Sequence, residues 1–336
     1  MKRLGMRRVN IKRLALLLMC VAAAVFAACG RAVDEPADGH PTVRVAALHG
    51  PTALGLLHLM DTHDRGLAVL EYTFEILGAP MEVPPLLVRG DVDIAVVPGN
   101  LAAVLYNQMD GAIQGLAVVT LGVLHIVDAT DEVHSVEDLR GRTIFATGEG
   151  ATPEFALNYV LVQNGLIPGA DVFIEFRSQP PEIAAAFELG HAEVALLPEP
   201  FVSNITAQFD HLRVALDWTE EWNRAQSNYG LMMSVVVARR DFIENHPETV
   251  AAFMEAYAQS IAFMTTELDA AAQLAVDFGL IGNANIARTA IPRTHMVFIT
   301  GEEKQRNLNG LFRVLYDANP QSVGGRLPDD AFFFIP

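Results

Sequence analysis

The sequence predicts an α/β protein of two lobes. Three observations carry this prediction. Short, β-branched apolar runs alternate with longer helical stretches, a helix-turn-strand phrase occurs twice, at Gly90 and at Gly190, and 336 residues are more than one hydrophobic core usually fills.

The first folded elements read, in order, as a strand over 42–48, a helix over 54–60 and a strand over 70–76. A short helix over 84–89, opened by a proline pair, and a strand over 92–97 follow. The alternation continues with strands over 142–146, 172–176, 194–197 and 211–216 and helices over 153–164 and 181–189. Strands alternating with helices imply parallel βαβ units, with ligand sites at the carboxyl ends of the strands. The repeated phrase runs Arg89-Gly90-Asp91-Val92-Asp93-Ile94-Ala95-Val96-Val97-Pro98 and then Leu189-Gly190-His191-Ala192-Glu193-Val194-Ala195-Leu196-Leu197-Pro198. Duplication explains it, and so does the frequency of such phrases in any α/β chain. After an apolar run over 230–238 only helices are expected, over 241–245, 247–267, 269–278 and 302–318. A helical tail of this kind predicts that the chain returns to its first lobe, with crossings near 119–124 and 227–232. Lobe 1 is then 42–122 plus 228–336, and lobe 2 is 123–227.

The N-terminal segment has a different character. Lys2, Arg3, Arg7, Arg8, Lys12 and Arg13 stand there without an acid, and an apolar run over 14–28 follows. That is the layout of a cleaved secretory signal over 1–28, and the run is shorter than the roughly 20 residues a membrane-spanning helix needs. Val25-Phe26-Ala27-Ala28-Cys29-Gly30 resembles a bacterial lipobox, with Phe26 where Leu is usual. The resemblance implies acylation of Cys29 and anchoring to a membrane; a plain signal peptide cut at an Ala-x-Ala-like site is the alternative. Residues 29–41 suit a flexible tether. Cys20 lies in the leader, so Cys29 is the single cysteine beyond it, and no disulfide, CxxC pair or cysteine-based zinc site is expected.

Residues 1–28 hold six of the 23 basic residues and none of the 40 acids. Without them seventeen basic residues face 40 acids, a formal charge of −23. Such a surface excludes nucleic acid as a partner, since phosphates need basic contacts. Ten histidines raise the question of a metal, but His58 and His63 are five apart, a poor fit to ligand spacing on a helix. There is no HExxH and no Gly-x-Ser-x-Gly elbow, so neither metal, cofactor nor catalysis is expected.

Gly50-Pro51-Thr52, Gly90-Asp91-Val92-Asp93-Ile94-Ala95, Thr147-Gly148-Glu149-Gly150-Ala151-Thr152-Pro153 and Leu197-Pro198-Glu199-Pro200-Phe201, in this order, resemble the periplasmic solute-binding proteins of nitrate, sulfonate, taurine and thiamine-pyrimidine importers. The similarity covers about residues 42–330. It implies a type II periplasmic binding fold of two α/β lobes with two hinge crossings, and a monomer that closes on a small molecule. It also implies delivery to the permease and ATPase subunits of an ABC importer. Enzymes of thiamine or menaquinone biosynthesis share the fold and are the alternative, disfavoured by export.

Several residues are candidates for holding a ligand. Gly50, Pro51 and Thr52 form a turn into a helix, where Thr52 can donate to a ligand or cap the helix. Gly99 and Asn100 follow the next strand, and Asn100 can cap or bind. Gly148, Gly150, Ala151 and Thr152 open a further helix, whose start suits an acceptor. Glu199 can meet an amine or aminopyrimidine inside a closed cleft, or cap the helix after Pro200. Trp218, Trp222, Asn228 and Tyr229 offer rings or amide near the return crossing, with core packing the alternative. Glu199, these aromatics and the lack of Arg or Lys favour a thiamine-precursor-like nitrogen heterocycle over nitrate, taurine or sulfonates.

Overall fold

The computed structural model describes residues 40–226 and 229–335. The expected leader, Cys29, all but the last two residues of the tether, Ser227 and Asn228 lie outside the described residues. Two sheets organise the rest. The first contains β1 (Val43–Leu48), β2 (Tyr72–Leu77), β3 (Ile94–Pro98), β4 (Ile113–Thr120), β10 (Ser234–Arg239) and β11 (Met296–Ile299), in the order β11-β4-β10-β3-β1-β2. The second contains β5 (Leu124–Asp128), β6 (Thr143–Ala146), β7 (Phe173–Phe176), β8 (Val194–Pro198) and β9 (Arg213–Asp217), in the order β7-β6-β8-β5-β9.

The sheets share one plan. β1 runs parallel to β2 and β3, and β6 runs parallel to β7 and β8. The strand entering each sheet after a crossing, β10 or β5, is antiparallel to both its neighbours. The repeated phrase ends in β3 and β8, which occupy equivalent places. The purely parallel reading is therefore corrected: β5 and β10, each arriving from the other sheet, enter from the opposite end and run antiparallel to β8 and β9 and to β3 and β4, and β11 is antiparallel to β4. The chain leaves the first sheet between Thr120 and Leu124 and regains it at Ser234.

The helices are α1 (Pro51–Leu54), α2 (Leu57–Asp64), α3 (Val83–Arg89), α4 (Gly99–Gln108), α5 (Thr152–Gln163), α6 (Pro180–Glu188), α7 (Phe201–Gln208), α8 (Trp218–Ala225), α9 (Arg240–Asn245), α10 (Pro247–Thr266), α11 (Leu268–Asp277), α12 (Ala284–Arg293) and α13 (Gly301–Ala318). The expected helix over 54–60 is split into α1 and α2. At the break, a Cβ on Gly55 would lie 3.2 Å from the Tyr257 hydroxyl, and the chain passes close to the α10 surface there. The helices-only tail is corrected by β11, an edge strand against β4; its four residues are too few for periodicity to separate from helix.

Each sheet face is filled with side chains from the β-branched strands and the apolar stripes of the helices. One cluster, including Val97, Val235, Ile126, Leu157, Trp218, Trp222 and Leu311, is continuous across both halves. α10, α11 and α12 cover the other face of the first sheet. Lys304 of α13 is fully buried and donates from Nζ to the carbonyls of Gly115 (2.7 Å), Leu116 (3.2 Å) and Phe334 (2.5 Å), tying the C-terminal segment to β4. Among the described residues no helix is long and apolar enough to cross a membrane.

Candidate ligand-binding cleft

The carboxyl ends of β1, β3, β6, β7 and β8 converge on a cavity of about 390 Å³ between the two halves, closed on its remaining side by the crossings at Val123 and Met233-Ser234. This volume is within the roughly 300–1,000 Å³ of small-molecule sites. No Lys, Arg, Asp or Glu stands among the described residues that line it; His49 is the ionisable side chain there, and Thr147, Ser178, Gln179 and Ser234 offer neutral polar groups.

Prolines shape the wall. Pro51, Pro80, Pro98, Pro153, Pro180, Pro181 and Pro198 all line it. Pro51, Pro153, Pro180 and Pro181 occupy the first or second position of α1, α5 and α6. Proline is well tolerated there because the N–H it lacks would be unpaired within the helix. Those same N–H groups are what make a helix start an anion site. The starts of α1, α5 and α6 thus each lack one or two of the donors an anion would use.

The expected site residues divide. Gly50, Pro51, Thr52, Gly148 and Ala151 lie on the wall. Gly50 has φ 107°, and a Cβ there would lie 3.2 Å from the ring of Phe201, which reaches across from the second half. The Thr52 hydroxyl donates to Leu48 O (2.5 Å) and accepts from Leu48 N–H (3.1 Å), so it closes the end of β1 and neither caps α1 nor stays free.

The others stand behind the wall. Gly99 brings its backbone against the return crossing, where a Cβ would sit 2.6 Å from Met232 O. Asn100 and Thr152 are fully buried and clasp each other between the halves. The Thr152 hydroxyl accepts from Asn100 N–H (3.0 Å) and donates to Asn100 Oδ1 (3.0 Å), while Asn100 Nδ2 donates to Gly150 O (3.2 Å) and Ser322 O (3.0 Å). The Gly150 N–H is taken by Glu154 Oε2 (2.6 Å). Trp222 and Trp218 are core residues; Trp222 Nε1 donates to Tyr229 O (3.0 Å), and the Tyr229 ring lies over Gly310.

Glu199 is also off the wall. It is fully buried, its Oε2 accepts from Ser203 N–H (3.1 Å) and its Oε1 accepts from the Ser203 hydroxyl (3.0 Å) at the start of α7. Its nearest cation is Arg293 Nη1 of α12, 3.7 Å away across the halves. Capping and a cross-half contact satisfy the carboxylate, which is the arrangement a buried charge requires. Residues that sequence reasoning missed include Ser178, Gln179, Phe201 and Ser234. Ser178-Gln179-Pro180 follows β7 as Gly78-Ala79-Pro80 follows β2, so the rule applied to the other strand ends would have found it.

A family model described as NMT1/THI5 like matches residues 63–271, more than half of the chain. The chain belongs to the NMT1/THI5-like family. Several solved structures share the fold of this family member. An ABC transporter protein from Parabacteroides distasonis is 22% identical with a TM-score of 0.71, over 87% of this chain and 98% of that one. The alkanesulfonate-binding protein SsuA of Xanthomonas axonopodis pv. citri, bound to MOPS, is 14% identical with a TM-score of 0.67, over 86% and 94%. A Candida albicans gene product exhibiting the generic periplasmic binding protein fold is 14% identical with a TM-score of 0.60, over 87% and 94%. No curated protein matches by sequence. The NMT1/THI5-like chain therefore has the two-lobe periplasmic binding fold expected of it. Among its described residues no group of three or more His, Cys, Asp or Glu is placed to hold a metal.

Proposed function

We propose that this protein is an extracytoplasmic solute-binding protein of an ABC import system, exported by its leader, anchored through Cys29, and specific for a small neutral organic solute. The two-lobe fold, the family and the ABC import neighbours support the first part. The composition of the cavity carries the second: apolar and proline faces, the Phe201 ring, and neutral hydrogen-bonding groups, with no Lys or Arg among the described residues that line it and with proline at the starts of α1, α5 and α6. A flat nitrogen heterocycle fits this wall, its faces against proline rings and its edge toward Gln179, Thr147, Ser178 and Ser234. A sulfonate or nitrate would leave its charge uncompensated in a site of low polarity.

A thermal-shift panel on the purified protein tests this reading. Neutral pyrimidines and related heterocycles are expected to raise the melting temperature, because a ligand at 100 times its dissociation constant adds about 2.7 kcal/mol. Stabilisation by alkanesulfonates, taurine or nitrate, with none from heterocycles, would overturn the neutral-solute assignment.

Once a ligand is found, two variants separate wall from support. Gln179→Ala is expected to weaken binding about tenfold, the loss of one hydrogen bond to the ligand. Glu199→Gln is expected to leave the dissociation constant within twofold, since that side chain is engaged at α7. Calorimetric titration of both reads the difference, and a tenfold loss in Glu199→Gln would return the carboxylate to the ligand.

A further inference from the structure

The helix α5 is apolar on both sides. Its inner face packs Ala156, Leu157, Val160 and Leu161 into the core, and Glu154 is the single charge in its twelve residues. On the outer face Phe155, Tyr159 and Val162 recur at helical spacing, and Val162 is 53% exposed. A helix that is apolar all round is ordinarily buried all round.

α13 packs on α5, and beside that contact the two helices line a pocket of about 540 Å³ that shares no lining residue with the cleft. Leu315 and Ala318, at the end of α13, stand on the wall with the outer residues of α5. The volume is that of a small-molecule site. A docked helix, about 10 Å across with its side chains, would fill it with little more than one turn.

Two acceptors give the pocket its sign. Asn158, on the same wall, has its Oδ1 buried without a hydrogen-bond partner among the described residues, and an unmet buried acceptor is costly. Asp317, exposed near the end of α13, is the ionised side chain among the lining residues; no Lys, Arg or His stands with it, and Gln163 and Asn319 are uncharged. The chain as a whole carries 40 acids against 23 basic residues. A ligand that complements this wall brings N–H donors and a positive charge.

We propose that this pocket is a second ligand site, separate from the cleft, for a small organic amine with an aromatic or branched aliphatic body. The body packs on Phe155, Tyr159 and Leu315, and the ammonium group supplies a donor to Asn158 Oδ1 and a counter-charge to Asp317. The two sites differ in sign. The cleft has no carboxylate on its wall and suits a neutral solute, whereas this pocket has one and suits a cation.

Tryptophan fluorescence of the full chain reads the pocket directly. Trp218 and Trp222 are the two tryptophans, neither lines the cleft, and the Trp222 ring lies 4.9 Å from that of Tyr159. Phenethylamine, excited around so that tryptophan alone absorbs, is expected to give a saturable change in the millimolar range usual for so small a probe. The neutral phenethyl alcohol is expected to bind about fivefold more weakly, and Asp317→Asn to cost the amine the same factor, the size of a partly exposed ion pair. Ala318→Phe fills the pocket and is expected to weaken the amine at least tenfold; Val162→Phe does so from the α5 side, and circular dichroism melting establishes that each variant is folded. No saturation by the amine, equal binding of the alcohol or of phenylacetate, or a response unchanged in Ala318→Phe and Val162→Phe would overturn the proposal. The outcome is independent of the cleft: a silent heterocycle panel leaves this titration intact, and a failed titration leaves the panel intact.

Discussion

Asn100→Leu is expected to lower the free energy of unfolding by about 3 kcal/mol, because it strips partners from the buried Ser322 carbonyl and Thr152 hydroxyl and from the half-buried Gly150 carbonyl. Leucine matches asparagine in shape but offers neither donor nor acceptor. The carbonyls of Gly150 and Ser322 lose the Nδ2 donor, and the Thr152 hydroxyl loses its acceptor Oδ1. A buried polar group left without a partner costs about 1–3 kcal/mol. Asn100 N–H keeps Thr152 Oγ1 in both proteins, so the loss is confined to the carboxamide. Thr152→Val removes the same hydroxyl–carboxamide bond from the other end, and the double variant should therefore cost less than the sum of the singles by about 1 kcal/mol. Urea denaturation of the four proteins reads this cycle. A cost below 1 kcal/mol for Asn100→Leu would mean that water reaches the clasp, and additive singles would mean that the two residues do not act as one unit.

The sequence was most informative where physics is local. β3 and β8 announced themselves by the same phrase, a Gly turn and then an apolar run stopped by proline, because a buried strand flanked by helices has few ways to begin and end. The crossings expected near 119–124 and 227–232 came from where strands gave way to helices, and the chain leaves the first sheet between Thr120 and Leu124 and regains it at Ser234. β11 was illegible: Met296–Ile299 is a strand only because β4 presents an open edge to it, a tertiary fact with no periodic trace. Direction was equally hidden. That β5 and β10 oppose their neighbours depends on which sheet the chain has just left, not on their own residues.

The site was legible as a set of loops and not as a set of side chains. Gly50, Pro51, Gly148 and Ala151 were reachable from the rule that sites gather at strand ends. Glu199 obeys the same rule by position, yet its side chain turns to Ser203 four residues on, because a carboxylate just before a helix meets the free N–H groups of its first turn. Asn100 and Thr152 show the same effect. Each stands after a strand and spends polar atoms on the other half of the molecule, and Asn100 also donates to Ser322 O of its own half. The prolines carried a signal that was present and unread. Proline at the first turns of α1, α5 and α6 stabilises those helices and, in the same places, removes one or two of the donors an anion would use.

Raising the pH from about 7.5 to 9.5 is expected to stabilise the wild-type protein by about 2 kcal/mol relative to Lys304→Met, the second large effect and the one that isolates a buried charge. Lys304 has no exposure, and among the described residues no carboxylate pairs with it; its Nζ meets carbonyls alone. Burial disfavours the ammonium and pushes the amine down to about 8, from 10.5 in the unfolded chain. Below about 8 both states are protonated and the folded state bears the full cost of the buried charge. Between about 8 and 10.5 the folded lysine gives up its proton while the unfolded one keeps it, so the unfolded state binds more protons and stability rises with pH. Methionine has the length to fill the space and nothing to titrate, so the variant lacks this rise. Guanidinium denaturation of both proteins at each pH measures it. If the wild type does not gain on the variant across that window, the three carbonyls hold the ammonium as firmly as water does. The C-terminal segment would then be fastened to β4 by a charge that stays on.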